Sequence, residues 1–520
     1  MATARPRKRI GEERSSKDRS SKDRTVKERA KRIRATRREP MAKVDTAWLR
    51  MEQPTNPMMI TGVLMFAEAM SITALRKVVS ERWLAYRRFR QKAVDTAAGA
   101  FWETDNDLDL DWHVQLTALP GRGGKRALEK FVSQLTSTPL DTGRPLWQFH
   151  LVEKYEGGSA LIARIHHSYA DGIALVQVLL SLTDTTREPS KGSDLQQAWL
   201  KQDGADVARR VGAAERYMKL GTKVVEKGME MYRDPTLAAV LAKEGGEIGR
   251  ELLHAITLPD DPPSLLRGKL GVSKRVAWAE PLDLEEVKAV GRACECTVND
   301  VLMATAAGAL RQYMLERGDD VDGVTLRATV PVNLRPLEHA KKLGNHFGLV
   351  FLDLPVGEEN PIRRVERVAE CMNNLKHSRQ AIVSFGLLAA LGMAPTAVQS
   401  LALDLFSRKA TMVATNVPGP SQTLYMAGCA LRDMMFWVPQ TGSIGVGISI
   451  LSYNGRVHFG LISDAKLIPD PDGVIQRFGS EFDKLLYLSL MSNWDARLDG
   501  PSADALLPES TRRAIEFLAG

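Results

Sequence analysis

Residues 161–172 read Leu-Ile-Ala-Arg-Ile-His-His-Ser-Tyr-Ala-Asp-Gly. An apolar run ends in two adjacent imidazoles, a short polar step reaches an Asp-Gly, and a second apolar run follows. Imidazole changes charge near neutral pH, and a histidine in the loop at a strand end is well placed to take a proton from a hydroxyl. Successive side chains on a strand point to opposite faces, so only one of His166 and His167 can face a given cleft. Asp171 can hold the loop through a salt bridge, and Gly172 permits a tight or left-handed turn. Three readings fit these residues: a general base, a pair of structural histidines, or a zinc site. The zinc reading lacks a third ligand at usable spacing.

The flanking sequence indicates what must position this segment. The apolar pattern predicts strands at 146–152 and 161–166, with a turn at Tyr155-Glu156-Gly157-Gly158 between them, and a helix over 172–184. Upstream, residues 60–66 read as a strand, and Ser71 caps a helix carrying Leu75, Val78, Val79 and Trp83 at helical spacing. Phe101-Trp102 and residues 112–114 read as short strands. Downstream come strands at 276–279, 325–330 and 349–354, and helices carrying Leu284, Val287 and Val290 and spanning 299–317. A hairpin at 444–453 and 456–462 turns on Asn454-Gly455. Strands and helices are interspersed, with neither the regular alternation of a barrel nor a Gly-rich phosphate loop. The expectation is two α/β lobes of similar size, at 41–186 and 271–497. Residues 187–270 read as a helical linker between them, ending in Pro259-Asp260-Asp261-Pro262-Pro263, and 498–520 as a C-terminal tail.

The 520 residues are 44% apolar and 26% charged, which suits a globular body and excludes a wholly disordered chain or a small disulfide scaffold. The net charge of +8 is unevenly placed. Residues 1–40 hold 16 Lys/Arg against 6 Asp/Glu, leaving 55 against 57 in the rest. The basic excess is therefore a tail, in which Ser-Ser-Lys-Asp-Arg occurs twice in tandem at 15–24. It is expected to be disordered, and either meets an anionic surface or is simply solvated. A neutral body gives no reason to expect a nucleic-acid partner. Four cysteines fit a reducing compartment and ordinary buried thiols. The first forty residues contain no apolar segment of signal-peptide type. Residues 381–403 are uncharged, but Gly386, Gly392, Pro395, Gln399 and Ser400 favour a buried or surface-lying helical hairpin over a membrane span. A cytoplasmic protein, soluble or peripheral, is expected.

Residues 166–172 also match the HHxxxDG signature of the CoA-dependent acyltransferase superfamily. Within it the chain most resembles the bifunctional wax ester synthase/diacylglycerol acyltransferases, over about 41–497. Pro145-Leu146-Trp147 is similar to their PLW block and Asn299-Asp300 to their ND block. Pro331-Val332-Asn333-Leu334-Arg335, Gly344-Asn345 and Thr415-Asn416-Val417-Pro418-Gly419-Pro420 resemble blocks of their C-terminal lobe. Val44-Asp45-Thr46-Ala47-Trp48 and Asn56-Pro57-Met58 are similar to their opening. The basic tail is the main departure.

The resemblance implies two chloramphenicol-acetyltransferase-like lobes, each of mixed sheet and helices, with a tunnel between them. It also implies acyl-CoA as co-substrate, a diacylglycerol or long-chain alcohol as acceptor, and no metal or other cofactor. His167 would take the hydroxyl proton, with His166 beside it. Asp171 and Gly172 would support the loop, and Asp171 would pair with Arg90, or failing that Arg335. Arg87 and Arg88 read as solvated surface charges. Asn299 would either donate to the oxyanion or cap its helix. Both acceptors are nearly insoluble in water, so contact with a membrane or lipid body is expected. The competing readings are a peptide-synthetase-like condensation enzyme and a non-catalytic lipid-body-binding protein.

Overall fold

Nine consecutive buried residues, Gly158–His166, form an inner strand of a six-stranded sheet. The computed structural model describes residues 38–121, 123–188, 254, 257–334, 345–378, 380–391, 396–492 and 497–507. In that sheet the order is Tyr425–Met426, Cys429–Trp437, Met59–Phe66, Gly158–His166, Trp147–Tyr155 and Val114–Thr117. All neighbours are antiparallel except the last pair. A strand covered on both faces is largely apolar, which is why Met59–Phe66, broken only by Thr61 and Gly62, and the 161–163 core of Gly158–His166 stand out in the sequence. Ser71 caps the helix Ile72–Val78, its hydroxyl accepting from the Ala74 N–H at 3.2 Å.

The second sheet is mixed and seven-stranded: Phe347–Leu354, Leu326–Asn333, Met412–Pro418, Val446–Tyr453, Arg456–Asp464 and Lys274–Trp278 in order, with Leu282–Asp283 also pairing with Arg456–Asp464. Its hairpin turns on Asn454 and Gly455 at φ 49° and 75°, left-handed values that explain the Asn-Gly sequence. The helix Val298–Glu316 lies beneath, buried along most of its length between Pro361–His377 and Asp472–Met491. The fold is mixed α/β.

Two strands from the second half of the chain, Tyr425–Met426 and Cys429–Trp437, complete the first half's sheet. Met435 and Trp437 then share one apolar core with Val63 and Met65 of that sheet and with Val276, Trp278 and Ile462 of the other. The two sheets approach closely there: a Cβ on Gly460 would fall 2.7 Å from the Met435 methyl carbon.

Three local expectations need correction. Residues 110–113 form a helical turn, because the Asp109 carboxylate accepts from the Asp111 and Trp112 N–H groups, and the strand starts only at Val114. Part of the expected tail is a strand: Arg38–Pro40 pair with residues 101–103 on the edge of a three-stranded sheet. Arg88 is not a solvated charge but half-buried, with its guanidinium 4.4 Å from the Trp102 ring centroid. Residues 1–37 and most of the expected linker, 189–253 and 255–256, lie outside the described residues.

A buried carboxyl marks where the helix Lys125–Thr136 crosses the strand Lys274–Trp278. Burial pushes Glu129 up to about 7, and the Asp472 charge adds to this. A carboxyl raised in the folded state loses stabilisation as pH climbs from its unfolded value near 4.5 through about 7. Glu129→Gln should therefore unfold at higher denaturant than the parent at pH 8, by on the order of 1–3 kcal/mol, and at about the same denaturant at pH 4. Equal midpoints at both pH values would show that Glu129 is solvated.

Candidate active site

The site forms where the strand Gly158–His166 ends. His166 is its last residue, opposite Met59, and its N–H donates to the Leu146 carbonyl at 3.0 Å. The next N–H, of His167, donates to the Met58 carbonyl at 2.7 Å. These bonds fix the backbone, and the two imidazoles go to different surroundings.

His166 faces polar partners. Its Nδ1 accepts from the Ser168 N–H at 3.1 Å and lies 2.8 Å from the Ser168 hydroxyl. That leaves Nε2 to donate to the Glu52 carboxylate at 2.6 Å. His167 lies against the Trp48 ring with centroids 4.1 Å apart, and Phe347 is 5.6 Å away. Burial pushes its imidazole down to about 4 from the usual 6.5, so it is neutral at pH 7. The nearby Asp171 charge opposes this shift without cancelling it. Its Nδ1 is sealed from solvent, so Nε2 is the ring nitrogen that opens on the adjacent cavity.

That cavity, about 1510 Å³ with its open mouth, is lined by both halves of the chain. Trp48, Met51, His167 and Asp171 form one end, and Phe347, Leu349 and Phe351 form a wall. The helices Gln380–Leu391 and Thr396–Ser407 cover it with Val383, Leu387, Leu388, Leu391, Leu403 and Phe406. Among its described residues, the uncharged stretch at 381–403 thus turns Val383, Leu387, Leu388, Leu391 and Leu403 to the cavity, although Leu401 is exposed. No helix among the described residues is long and apolar enough to cross a membrane.

Asp171 is buried and acts as a clamp. One carboxylate oxygen accepts from the Ala174 N–H at 2.8 Å, in the first turn of the helix Gly172–Leu180. The other accepts from the His346 N–H at 3.0 Å, joining the two halves. Gly172 opens that helix. Arg90 is exposed at the end of the turn Arg87–Arg90, away from the buried Asp171, and Arg335 lies outside the described residues. Asp171→Asn should lower stability by about 1–3 kcal/mol, because an NH₂ would face one of two buried N–H donors. An unchanged denaturation midpoint would contradict the clamp.

Asn299 does not cap its helix. Thr297 does, in a reciprocal capping box with Asp300. Asn299 instead accepts from the Asn416 amide at 2.8 Å, and Asn416 lines the cavity with Thr415 and Val417. Trp147 is buried in the core, its indole N–H bonded to the Phe89 carbonyl at 2.8 Å. Among the described residues, no group of three His, Cys, Asp or Glu is arranged to hold a metal ion.

Two residues not singled out as site residues prove central. The buried Asn345 donates from Nδ2 to an Asp45 carboxylate oxygen at 2.8 Å and to the His167 carbonyl at 2.9 Å. Its backbone N–H also donates to Asp45, at 3.0 Å. Burial pushes Asp45 up to about 6 despite these bonds. A pointer existed in the sequence, since both residues fall in short blocks quoted above, but nothing local shows that they meet.

The wax ester synthase/diacylglycerol acyltransferase catalytic-domain model matches residues 41–302, and the C-terminal-domain model of the same family matches 343–486. A protein of Mycobacterium tuberculosis (strain ATCC 25618 / H37Rv) named "Probable diacyglycerol O-acyltransferase tgs2" is 30% identical over 457 residues, 82% of this chain and 94% of its own. The wax ester synthase/diacylglycerol acyltransferase from Marinobacter aquaeolei VT8 shares the fold at TM-score 0.62 and 22% identity, covering 87% of this chain and 100% of that one. The first condensation domain of the calcium-dependent antibiotic synthetase shares it at TM-score 0.53 and 14% identity, covering 87% and 96%. The chain is an O-acyltransferase and belongs to the wax ester synthase/diacylglycerol acyltransferase family.

Proposed function

We propose that the protein moves a long-chain acyl group from a CoA thioester to the hydroxyl of a diacylglycerol or long-chain alcohol, with His167 as general base. The observation that carries this is the neutral imidazole of His167 opening through Nε2 on a largely apolar cavity. An alcohol does not ionise at neutral pH, so its attack needs a base within hydrogen-bond reach. Nε2 takes the hydroxyl proton as the oxygen bonds to the thioester carbon. The tetrahedral intermediate then collapses, the C–S bond breaks, and the proton passes to the departing CoA sulfur. Every proton is accounted for by one histidine, so no metal and no acyl-enzyme is required. The cavity walls receive the hydrocarbon chains, which favours lipid acceptors over amino-acyl ones.

Thin-layer analysis of products from purified protein with palmitoyl-CoA and either hexadecanol or dioleoylglycerol tests this reading. Wax ester or triacylglycerol is expected, at a rate unchanged by EDTA. Release of CoA without either product would overturn it.

The protein must meet such acceptors at a membrane or lipid-body surface. The basic N-terminal segment is the proposed reversible contact, since each Lys or Arg near an anionic leaflet contributes about 1 kcal/mol. Deleting residues 1–37 should weaken binding to anionic liposomes at low salt and leave turnover on detergent-dispersed substrate unchanged. Equal binding by both forms at low and high salt would assign any attachment elsewhere.

A further inference from the structure

A base that receives a proton at Nε2 must carry its own hydrogen on Nδ1, and something must hold it there. Nδ1 of His167 is sealed from solvent and has no partner with hydrogen-bond geometry. The same is true of Oδ1 of Asn345. The two residues are neighbours: the histidine's own carbonyl favours the protonated imidazole, and the Asn345 amide adds to this.

The orientation of the Asn345 amide is set independently. Its other terminal atom lies 2.8 Å from a carboxylate oxygen of Asp45 and 2.9 Å from the His167 carbonyl. Both are acceptors, so that atom must be the NH₂ and the remaining one the oxygen. The amide oxygen of Asn345 and Nδ1 of His167 are thus two buried, unpartnered atoms, an acceptor and a donor, on residues already joined by a hydrogen bond. Asp45 sets the amide by accepting from both its side chain and its backbone N–H. The helix Lys43–Arg50 that carries Asp45 also carries Trp48, which packs on the imidazole. All three polar residues are more than nine-tenths buried.

We infer that Asn345, oriented by Asp45, is the positioning residue that fixes His167 in the Nδ1–H tautomer and leaves the Nε2 lone pair facing the cavity. The inference rests on His167 being the base. It places the orienting group in the second half of the chain, so docking of the two halves completes the base.

Nitrogen-15 NMR of protein labelled in its histidines, together with steady-state kinetics, tests this. In the parent, His167 should show a protonated Nδ1 and a bare Nε2. Asn345→Ala should mix the tautomers and lower kcat by roughly 10–100-fold, the scale on which functional histidines depend on the partner of their second nitrogen. KM should change little, because the loss falls on the transition state. Exchanging the two side chains, in the double variant Asp45→Asn/Asn345→Asp, puts a carboxylate beside Nδ1. The acid limb of kcat/KM should then move to higher pH, and the Nδ1–H tautomer should persist. Asp171 and His166 are the other charged or titratable groups acting on the ring, and both are unchanged in this variant. A merely structural amide would leave tautomer and pH profile as in the parent, and that result would overturn the inference. If His167→Ala kept its activity, the reading of His167 as base would fall instead, whatever Asn345 does.

Discussion

His167→Ala should lower ester formation by roughly 10²–10⁴ while the protein stays folded, the usual loss when a positioned base is removed. The imidazole is nearly buried, yet its one open nitrogen faces the cavity, and no other described histidine from the 161–172 segment lines it. Its contribution to packing is modest: it stacks on Trp48 and meets Phe347, and its backbone bonds to Met58 and Asn345 survive truncation. Most of the loss should therefore appear in kcat. His166→Ala should behave differently. It removes the shorter of two hydrogen bonds to the Glu52 carboxylate and the acceptor of the Ser168 N–H, so stability and loop geometry should suffer more than proton transfer. Rates of product formation and denaturation midpoints for the two variants separate these outcomes. If His166→Ala were the inactive, stable variant and His167→Ala the active one, the wrong imidazole would have been assigned to the cavity.

What could be read from sequence follows from how local each signal is. The fully covered strands Met59–Phe66 and Gly158–His166 are mostly apolar despite Thr61 and Arg164, and the Asn454-Gly455 hairpin has a turn that only left-handed residues make easily. The strand Cys429–Trp437 was not legible. Arg432 and Asp433 interrupt its pattern at a register shift, and both charges are satisfied by ion pairs with Glu156 and Arg456 that no local pattern reveals. The same distinction applies at the site. Two adjacent histidines at a strand end announce themselves, and alternation tells that their rings diverge. The Asp45–Asn345 bond joins residues 300 apart in sequence, so only the fold displays it. Arg90 illustrates the converse: a basic residue at a suitable place in the sequence is exposed in the structure, while its neighbour Arg88 turns inward onto Trp102.

The largest loss of stability should come from a pair far from the proton chemistry. Lys274 and Asp464 are almost completely buried, at 2% and 0% side-chain exposure, with Nζ and Oδ2 3.2 Å apart. Lys274 Nζ also donates to Asn56 Oδ1 at 2.9 Å, and the Asn56 amide donates to the carbonyls of Gly442 and Ile444. One ammonium thus ties the second sheet to the loop that precedes the strand Met59–Phe66, and through Ile444 to the cavity wall. Burial lowers the lysine's proton affinity and the aspartate restores part of it. Asp464→Ala would strand the cation with a single amide oxygen, and should cost about 3–5 kcal/mol. Lys274→Met should cost less, because the Asp464 carboxylate keeps the Gly271 and Lys466 N–H groups as donors, at 2.9 Å and 3.0 Å. In the double variant Lys274→Met/Asp464→Ala no buried charge remains, so its loss should fall short of the sum of the two single losses. Additive losses from denaturant titrations would mean that the two side chains do not depend on each other.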